Sequence, residues 1–308
     1  MVFAVIIPIF FLLGLGYLSV KSNLLEKMQV SSIGAFVIKI ALPALFLHSL
    51  ASKDLSEIWY PEYFFVYTGL SFLLYISAYF IVQKYFSNTA SDSAVLSLGA
   101  SMSNTGLIGS AVLTLLMGNK AMTYISLIVI IESVLLVPTV LILAKLGMQK
   151  NINILSMIQN TVSMLLKNPL FVSVILGMSC AIFQIKIPFY INQVLAMIGQ
   201  TASPLALFTI GGGMVGLTLK YVNLQSMYLV ISSNIIMPLL VFLGLTYLTD
   251  VSQEMIYAGT IIAALPMPTI FGILGQSYGL NDRAITPLLM STIVGFIITA
   301  GLITLWWG

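Results

Sequence analysis

Residues 187–219 pass without one charged side chain, and residues 94–119 and 121–131 do the same on either side of Lys120. Runs of this kind decide which solvent the chain can fold in. A helix crossing a membrane needs ~20 largely apolar residues, and these stretches supply them repeatedly. Charged residues make up 7% of the 308 and hydrophobic residues 59%, with mean hydropathy +1.08. A soluble domain carries roughly 25% charged residues, so this chain must use lipid as its solvent. The net charge of +3 is not gathered into a basic patch and gives no nucleic-acid footprint. Cys180 is the only cysteine, which excludes internal disulfides and cysteine-based zinc sites.

Reading between the charges gives ten candidate spans at 1–20, 31–51, 63–83, 94–117, 121–143, 168–186, 190–216, 225–249, 255–278 and 284–307. The first has no basic n-region and no small-residue cleavage site, so it reads as a retained span and not a signal peptide. The uncharged stretch 187–219 is long for one span and predicts a bent or tilted helix. No segment alternates with the period of a membrane β-barrel. The expected fold class is all-α and polytopic.

With the N-terminus outside, the inner loops hold Lys21, Lys27, Lys84, Lys145, Lys150, Lys167, Lys220 and Arg283. The outer loops hold Lys53, Lys120 and Lys186, and Lys39 lies inside a span. That asymmetry satisfies the positive-inside rule and puts both termini outside the cytoplasm. Trp59, Tyr60, Tyr63, Trp306 and Trp307 then fall at outer span ends, as an aromatic belt. A longer basic loop at 144–167 divides the spans five and five. Because five is odd, the second half inserts upside down, giving an inverted repeat. The units are a first five-helix repeat at 1–145, a cytoplasmic linker at 146–165 and a second, inverted repeat at 166–308. IALPALFLHSL at 40–50 echoes TASPLALFTIG at 201–211.

Two of these spans are broken. Ser101, Ser103, Asn104 and Thr105, with Gly99, Gly106 and Gly109, interrupt the fourth; Pro266 and Pro268, flanking Met267 and followed by Thr269, interrupt the ninth. Proline removes a backbone donor and clashes with the carbonyl four residues earlier. Serine and threonine offer the backbone competing hydrogen bonds. Freed backbone groups inside a membrane must face protein or a water-filled cavity. Broken spans at corresponding places in two halves point to the midplane binding site of a secondary transporter. Half-helices meeting there aim positive N-terminal dipoles at one point and favour an anion. The candidate substrate site is Ser103, Asn104, Thr105, Gly106, Pro266, Met267 and Thr269. The plain alternative is a pair of kinked packing helices.

Glu132 lies eleven residues into the fifth span, about 16 Å deep at 1.5 Å per residue. A carboxyl at that depth is protonated, paired or facing water. It reads either as a coupling group for a proton or cation, or as a neutral acid fixing helix packing. Lys39, about 12 Å deep, can snorkel to the surface, partner Glu132 or contact a substrate carboxylate. His48 lies on the opposite face of the same span and reads as a polar interface residue, or alternatively as a proton-handling group. Pro43, Asn234 and Gln276 are secondary candidates, the last two as cavity-lining or interhelical hydrogen-bond groups. Gly211-Gly212-Gly213 reads as helix packing. There is no nucleophile elbow, metal cluster or phosphate loop, so an enzyme is not expected.

Several short motifs occur together in one order. They are Leu42-Pro43-Ala44-Leu45-Phe46, Asn104-Thr105-Gly106 with Gly109, and Lys167-Asn168-Pro169-Leu170. After them come Ser203-Pro204-Leu205-Ala206-Leu207-Phe208 with Gly211-Gly212, and Ala264-Leu265-Pro266. In this set the chain resembles the auxin efflux carrier family, in particular its bacterial members, which include malonate-type transporters. The resemblance implies ten helices in two inverted repeats, as in bile-acid/sodium symporter and sodium/proton antiporter folds. It implies a scaffold of spans 1, 2, 6 and 7, through which homodimers form, and a moving domain in which spans 4 and 9 cross at the substrate, with elevator-type alternating access. The chain departs from the family where Ser103 replaces a proline before Asn-Thr, where Ala111 replaces a second, and in a third span without an acid.

The resulting expectation is a cell-membrane secondary transporter of small mono- or dicarboxylates, using a proton as coupling ion and no cofactor. The runners-up are a sodium-coupled bile-acid-like symporter and a membrane sensor that binds its ligand without flux.

Overall fold

The structure is a computed structural model that describes residues 2–51, 53–54, 58–86, 89–148, 159, 162–216 and 222–307. Lys150, Lys220 and most of the expected linker 146–165 lie outside the described residues. Every regular element among the described residues is helical. In chain order they are α1 (Val2–Lys21), α2 (Lys27–Ala51), α3 (Pro61–Tyr85), α4 (Ala90–Ser101), α5 (Ser110–Met117) and α6 (121–147). A short helical stretch at 162–166 precedes α7 (Pro169–Ile182), α8 (Phe189–Gly213), α9 (Leu224–Leu248), α10 (Gln253–Ala264), α11 (Thr269–Ser277) and α12 (Asn281–Trp307). Among the described residues, seven stretches are long and apolar enough to cross a membrane by length and composition; Ile7–Lys21 and Pro169–Ile182 are shorter apolar helices. One of the seven, Ala90–Gly147, is 58 residues long, about 87 Å if straight. It turns back at Gly118, whose φ of 61° suits glycine.

Side chains start several helices. Thr89 caps α4 through the amide of Asp92, Asn168 caps α7 ahead of Pro169, Asn223 caps α9 and Ser252 caps α10. Three helices also widen into a π turn, at Val37–Ala41, Ile131–Leu136 and Ser232–Ile236. Each wide turn ends two residues before a proline: Pro43, Pro138 and Pro238. The proline ring would strike the carbonyl four residues back, at Lys39, Val134 or Asn234. Widening the turn moves that carbonyl aside without breaking the helix.

The helices pack in two groups. In one, α1 lies along the second half of α8, and α7 lies along Leu42–Ala51 of α2, which the first half of α8 also touches. The α1–α8 seam is close: a Cβ on Gly211 would collide with the Leu13 carbonyl, and one on Gly16 with that of Phe208. Gly211 and Gly212 therefore sit at close packing contacts, while Gly213 meets nothing within 4 Å. In the other group α3 packs on α4 and α9, α4 on α6, α9 on α10, and α11 on α12.

Tyr63 corrects the expected aromatic belt. It is 0% exposed, because α3 starts at Pro61 and turns its first aromatic inward against Tyr124 of α6 and Gly259 of α10.

Candidate functional site

Both sequence breaks are breaks in the helices. α4 ends at Ser101, Met102 is extended, and helix resumes as a π turn at Thr105–Gly109 that leads into α5. α10 ends at Ala264, the chain is extended at Leu265 and Pro268, and α11 begins at Thr269. The two breaks touch. The Asn104 amide donates to the Pro266 carbonyl at 2.8 Å, and Asn104 Nδ2 donates to Thr269 Oγ1 at 3.2 Å. The Asn104 carbonyl accepts from the amides of Ile108 and Gly109, both at 3.0 Å, so one residue ends one segment and starts the next.

Neighbouring side chains take up the remaining broken backbone. Asn234 Nδ2 donates to the Ala264 and Leu265 carbonyls, each at 3.1 Å, and the side chain is fully buried. Asn234 lies in the π turn of α9, which turns it toward the end of α10. It lines neither cavity described below; of its two expected roles, the structure shows the interhelical one. The Met267 amide donates to Ser291 Oγ at 2.9 Å. Thr105 Oγ1 donates to Glu132 Oε1 at 2.5 Å and shares a 3.3 Å hydrogen bond with the Ser103 hydroxyl. Glu132 is 4% exposed, in the π turn of α6. The ion pairs among the described residues are Lys120–Glu254 and Arg283–Asp92; no ion pair joins Lys39 to Glu132.

Two cavities meet at this junction. The larger, about 690 Å³, is lined by Lys27, Lys39, Asn104, Pro266, Met267 and Thr269 among others, and both its charged groups are cationic. The smaller, about 240 Å³, takes in Ser103, Asn104, Thr105, Gly106, Glu132 and Thr269. Asn104 and Thr269 belong to both walls. The first-turn residues Thr105, Gly106 and Leu107 line the smaller cavity together with Thr269 and Ile270. The first turns of two helices thus line one space, and the amides of such first turns favour a small anion.

The remaining candidates lie apart. Gln276 is exposed in the last turn of α11 and lines neither cavity. The short helix ends at Ser277 and carries Gln276 away from the junction, which corrects its expected cavity-lining role. Pro43 also lies off both walls, although its neighbour Leu42 is on the smaller one; the proline acts through the π turn before it. His48 Nδ1 pairs with Asn192 Oδ1 at 2.8 Å, joining α2 to α8. Sequence reasoning missed Ser291, Ser133 and Tyr67. Tyr67 reaches the Ser103 side chain from α3, and Ser133 lines the smaller cavity. Only its place beside Glu132 marked Ser133 in advance.

Among the described residues, apolar helical spans and broken helices joined at polar residues are what a membrane transport protein would present. Residues 1–304 match the family model described as membrane transport protein, and the chain belongs to that family, the auxin efflux carrier family. A protein of Rhizobium meliloti (strain 1021), provisionally named for malonate transport, is 22% identical over 304 residues, covering 97% of this chain and 94% of that one. The uncharacterized transporter YfdV of Escherichia coli (strain K12) is 24% identical over 309 residues, with 96% and 95% coverage. These relatives are transporters and not enzymes.

Proposed function

We propose that the chain is a secondary active transporter of small organic anions, mono- or dicarboxylates, driven by protons through elevator-type alternating access. The observation that carries this reading is the convergence of two helix starts on the smaller cavity, tied together by Asn104 and Pro266. Lys27 and Lys39 make the wider cavity a cationic approach to the same wall. The malonate name of the Rhizobium relative agrees with an anionic cargo of that size.

In this reading the chain crosses the membrane ten times. The turn at Gly118 divides the long apolar run, α1 at 20 residues is long enough to span, and the shorter α7 thins the bilayer locally. The pairing of helices supports inverted halves: α1 on α8 mirrors α7 on α2, and α3 on α4 mirrors α9 on α10. Spans 1, 2, 6 and 7 form the scaffold and dimer contact, and α3–α6 with α9–α12 move. Both termini lie outside the cytoplasm, and both cavities face in, toward Lys27 and Asn168. Glu132 binds the coupling proton.

The test is uptake of labelled malonate, succinate and acetate into proteoliposomes under an imposed pH gradient. The reading requires carboxylate accumulation that grows with inward proton gradient and is insensitive to sodium. If no carboxylate accumulates under any gradient, it is discarded; if sodium is required, the symporter reading replaces it.

A further inference from the structure

Glu132 lines the smaller cavity, and its partner Thr105 leads through Ser103 toward a file of tyrosines. Tyr63 and Tyr67 of α3 stand one turn apart, ring centroids 6.2 Å from each other, and Tyr124 of α6 is 6.2 Å from Tyr63. Tyr60, just ahead of α3, is 6.3 Å from Tyr124. The file starts at a separate surface cavity of about 420 Å³, lined by Tyr60, Tyr124, Glu62 and Asp250. It ends at Tyr67, buried on α3, which reaches the Ser103 side chain; Ser103 shares a hydrogen bond with Thr105, and Thr105 donates to Glu132. Thr105 meets that carboxyl from the helix break.

Packing alone does not account for the phenol oxygens. Tyr63 Oη is buried and makes no hydrogen bond to protein, a state a phenylalanine would avoid at no loss of contact. Room for it depends on Gly259: a Cβ there would stand 3.2 Å from the hydroxyl and 2.9 Å from the ring.

We propose that Tyr124, Tyr63 and Tyr67 are the outer proton route to Glu132. The acidic mouth formed by Glu62 and Asp250 gathers protons at the surface. A phenol is both donor and acceptor, so each oxygen takes a proton while passing on its own, and no tyrosine changes its net charge. The last transfer turns the Glu132 carboxylate into a carboxylic acid. Transfer needs partners within about 3 Å, directly or through one water. Tyr63 is out of such contact with protein in this conformation, so the file is interrupted while Glu132 faces the inner cavity. A continuous file in that state would leak protons across the membrane.

The inference rests on the proton-coupled reading, and the experiment separates the two. Wild type, Tyr63→Phe, Tyr67→Phe and Gly259→Ala are reconstituted with a pH dye inside the vesicles. Two rates are read: acidification during gradient-driven malonate uptake, and exchange of labelled for unlabelled malonate without a gradient. Tyr63→Phe keeps the ring and removes only an unbonded hydroxyl, so its fold is retained. Acidification in Tyr63→Phe and Tyr67→Phe is expected to drop at least tenfold while exchange stays within twofold; Gly259→Ala behaves likewise. Acidification at the wild-type rate in both phenylalanine variants overturns the route. So does a parallel loss of exchange, which marks the tyrosines as packing. Wild type that takes up malonate without acidifying overturns proton coupling itself, and the route with it.

Discussion

Asn104 makes three kinds of contact at once: its amide holds Pro266, its side chain holds Thr269, and its carbonyl starts the next helix. The residue lines both cavities, so Asn104→Ala removes the donor that the proposed substrate would use and leaves the backbone junction in place. One side-chain hydrogen bond is worth about 1–1.5 kcal/mol, which predicts roughly a tenfold rise in Kd for the carboxylate, read by calorimetry on folded protein. Unaltered affinity would remove Asn104 from the site. Glu132→Gln keeps an acceptor for Thr105 but cannot lose a proton. Its expected outcome is loss of pH-gradient-driven uptake with malonate exchange retained; in wild type, uptake quickens as the outer pH falls below the inner. At this scale the sequence was informative wherever a polar residue stood in lipid, as Asn104, Thr105 and Glu132 do. It was silent on Ser291 and Tyr67, because serine and tyrosine are ordinary in membrane spans and their partners lie far away in sequence.

The broken helices need as much support as they offer. α10 ends with two carbonyls that no helix continues, and Asn234 satisfies both from α9. Leaving a buried backbone acceptor unpaired costs about 1–3 kcal/mol. Asn234→Leu is therefore expected to lower the melting temperature by several degrees in detergent, while Gln276→Leu, on the exposed end of α11, leaves it unchanged. A Gln276 variant that melts early would contradict the placement of that helix. The three π turns that precede prolines lead to a second expectation. Pro138→Ala restores the amide that Pro138 lacks, lets residues 131–136 tighten toward α-helix, and swings Glu132 away from Thr105. Malonate exchange should slow by about an order of magnitude at unchanged fold, read by circular dichroism and flux together. Breaks at Pro266 and at the serine cluster were legible because their residue types forbid regular helix. The wide turns are not legible in the sequence, since a proline in an apolar run reads equally as kink or bulge. Tyr63 was placed at the lipid interface for the same kind of reason: aromatic residues near a span end suit both lipid and core, and only the neighbouring helices choose.

At the scale of the molecule, the two packed groups meet at contacts such as Ser203 Oγ donating to the Ser110 carbonyl at 3.4 Å. If α3–α6 and α9–α12 travel past the α1–α2–α7–α8 scaffold, that contact must part in each cycle. In a Cys180→Ser background, the pair Ser203→Cys and Ser110→Cys is expected to stop flux when bridged and to recover it on reduction. Transport by the bridged protein would rule out the sliding. The grouping itself could not be read from hydropathy, which reports which segments are apolar and not which neighbour each one chooses. The bond between Asn104 and Pro266 also bears on how the molecule is made. These residues are 162 positions apart, so at about 5–20 residues per second of synthesis the first break waits roughly 8–30 s for its partner. Throughout that interval the newborn first half sits in the bilayer with an exposed polar wound. Truncated chains that stop short of residue 266 should therefore be cleared by membrane quality-control proteases, however well their individual helices insert.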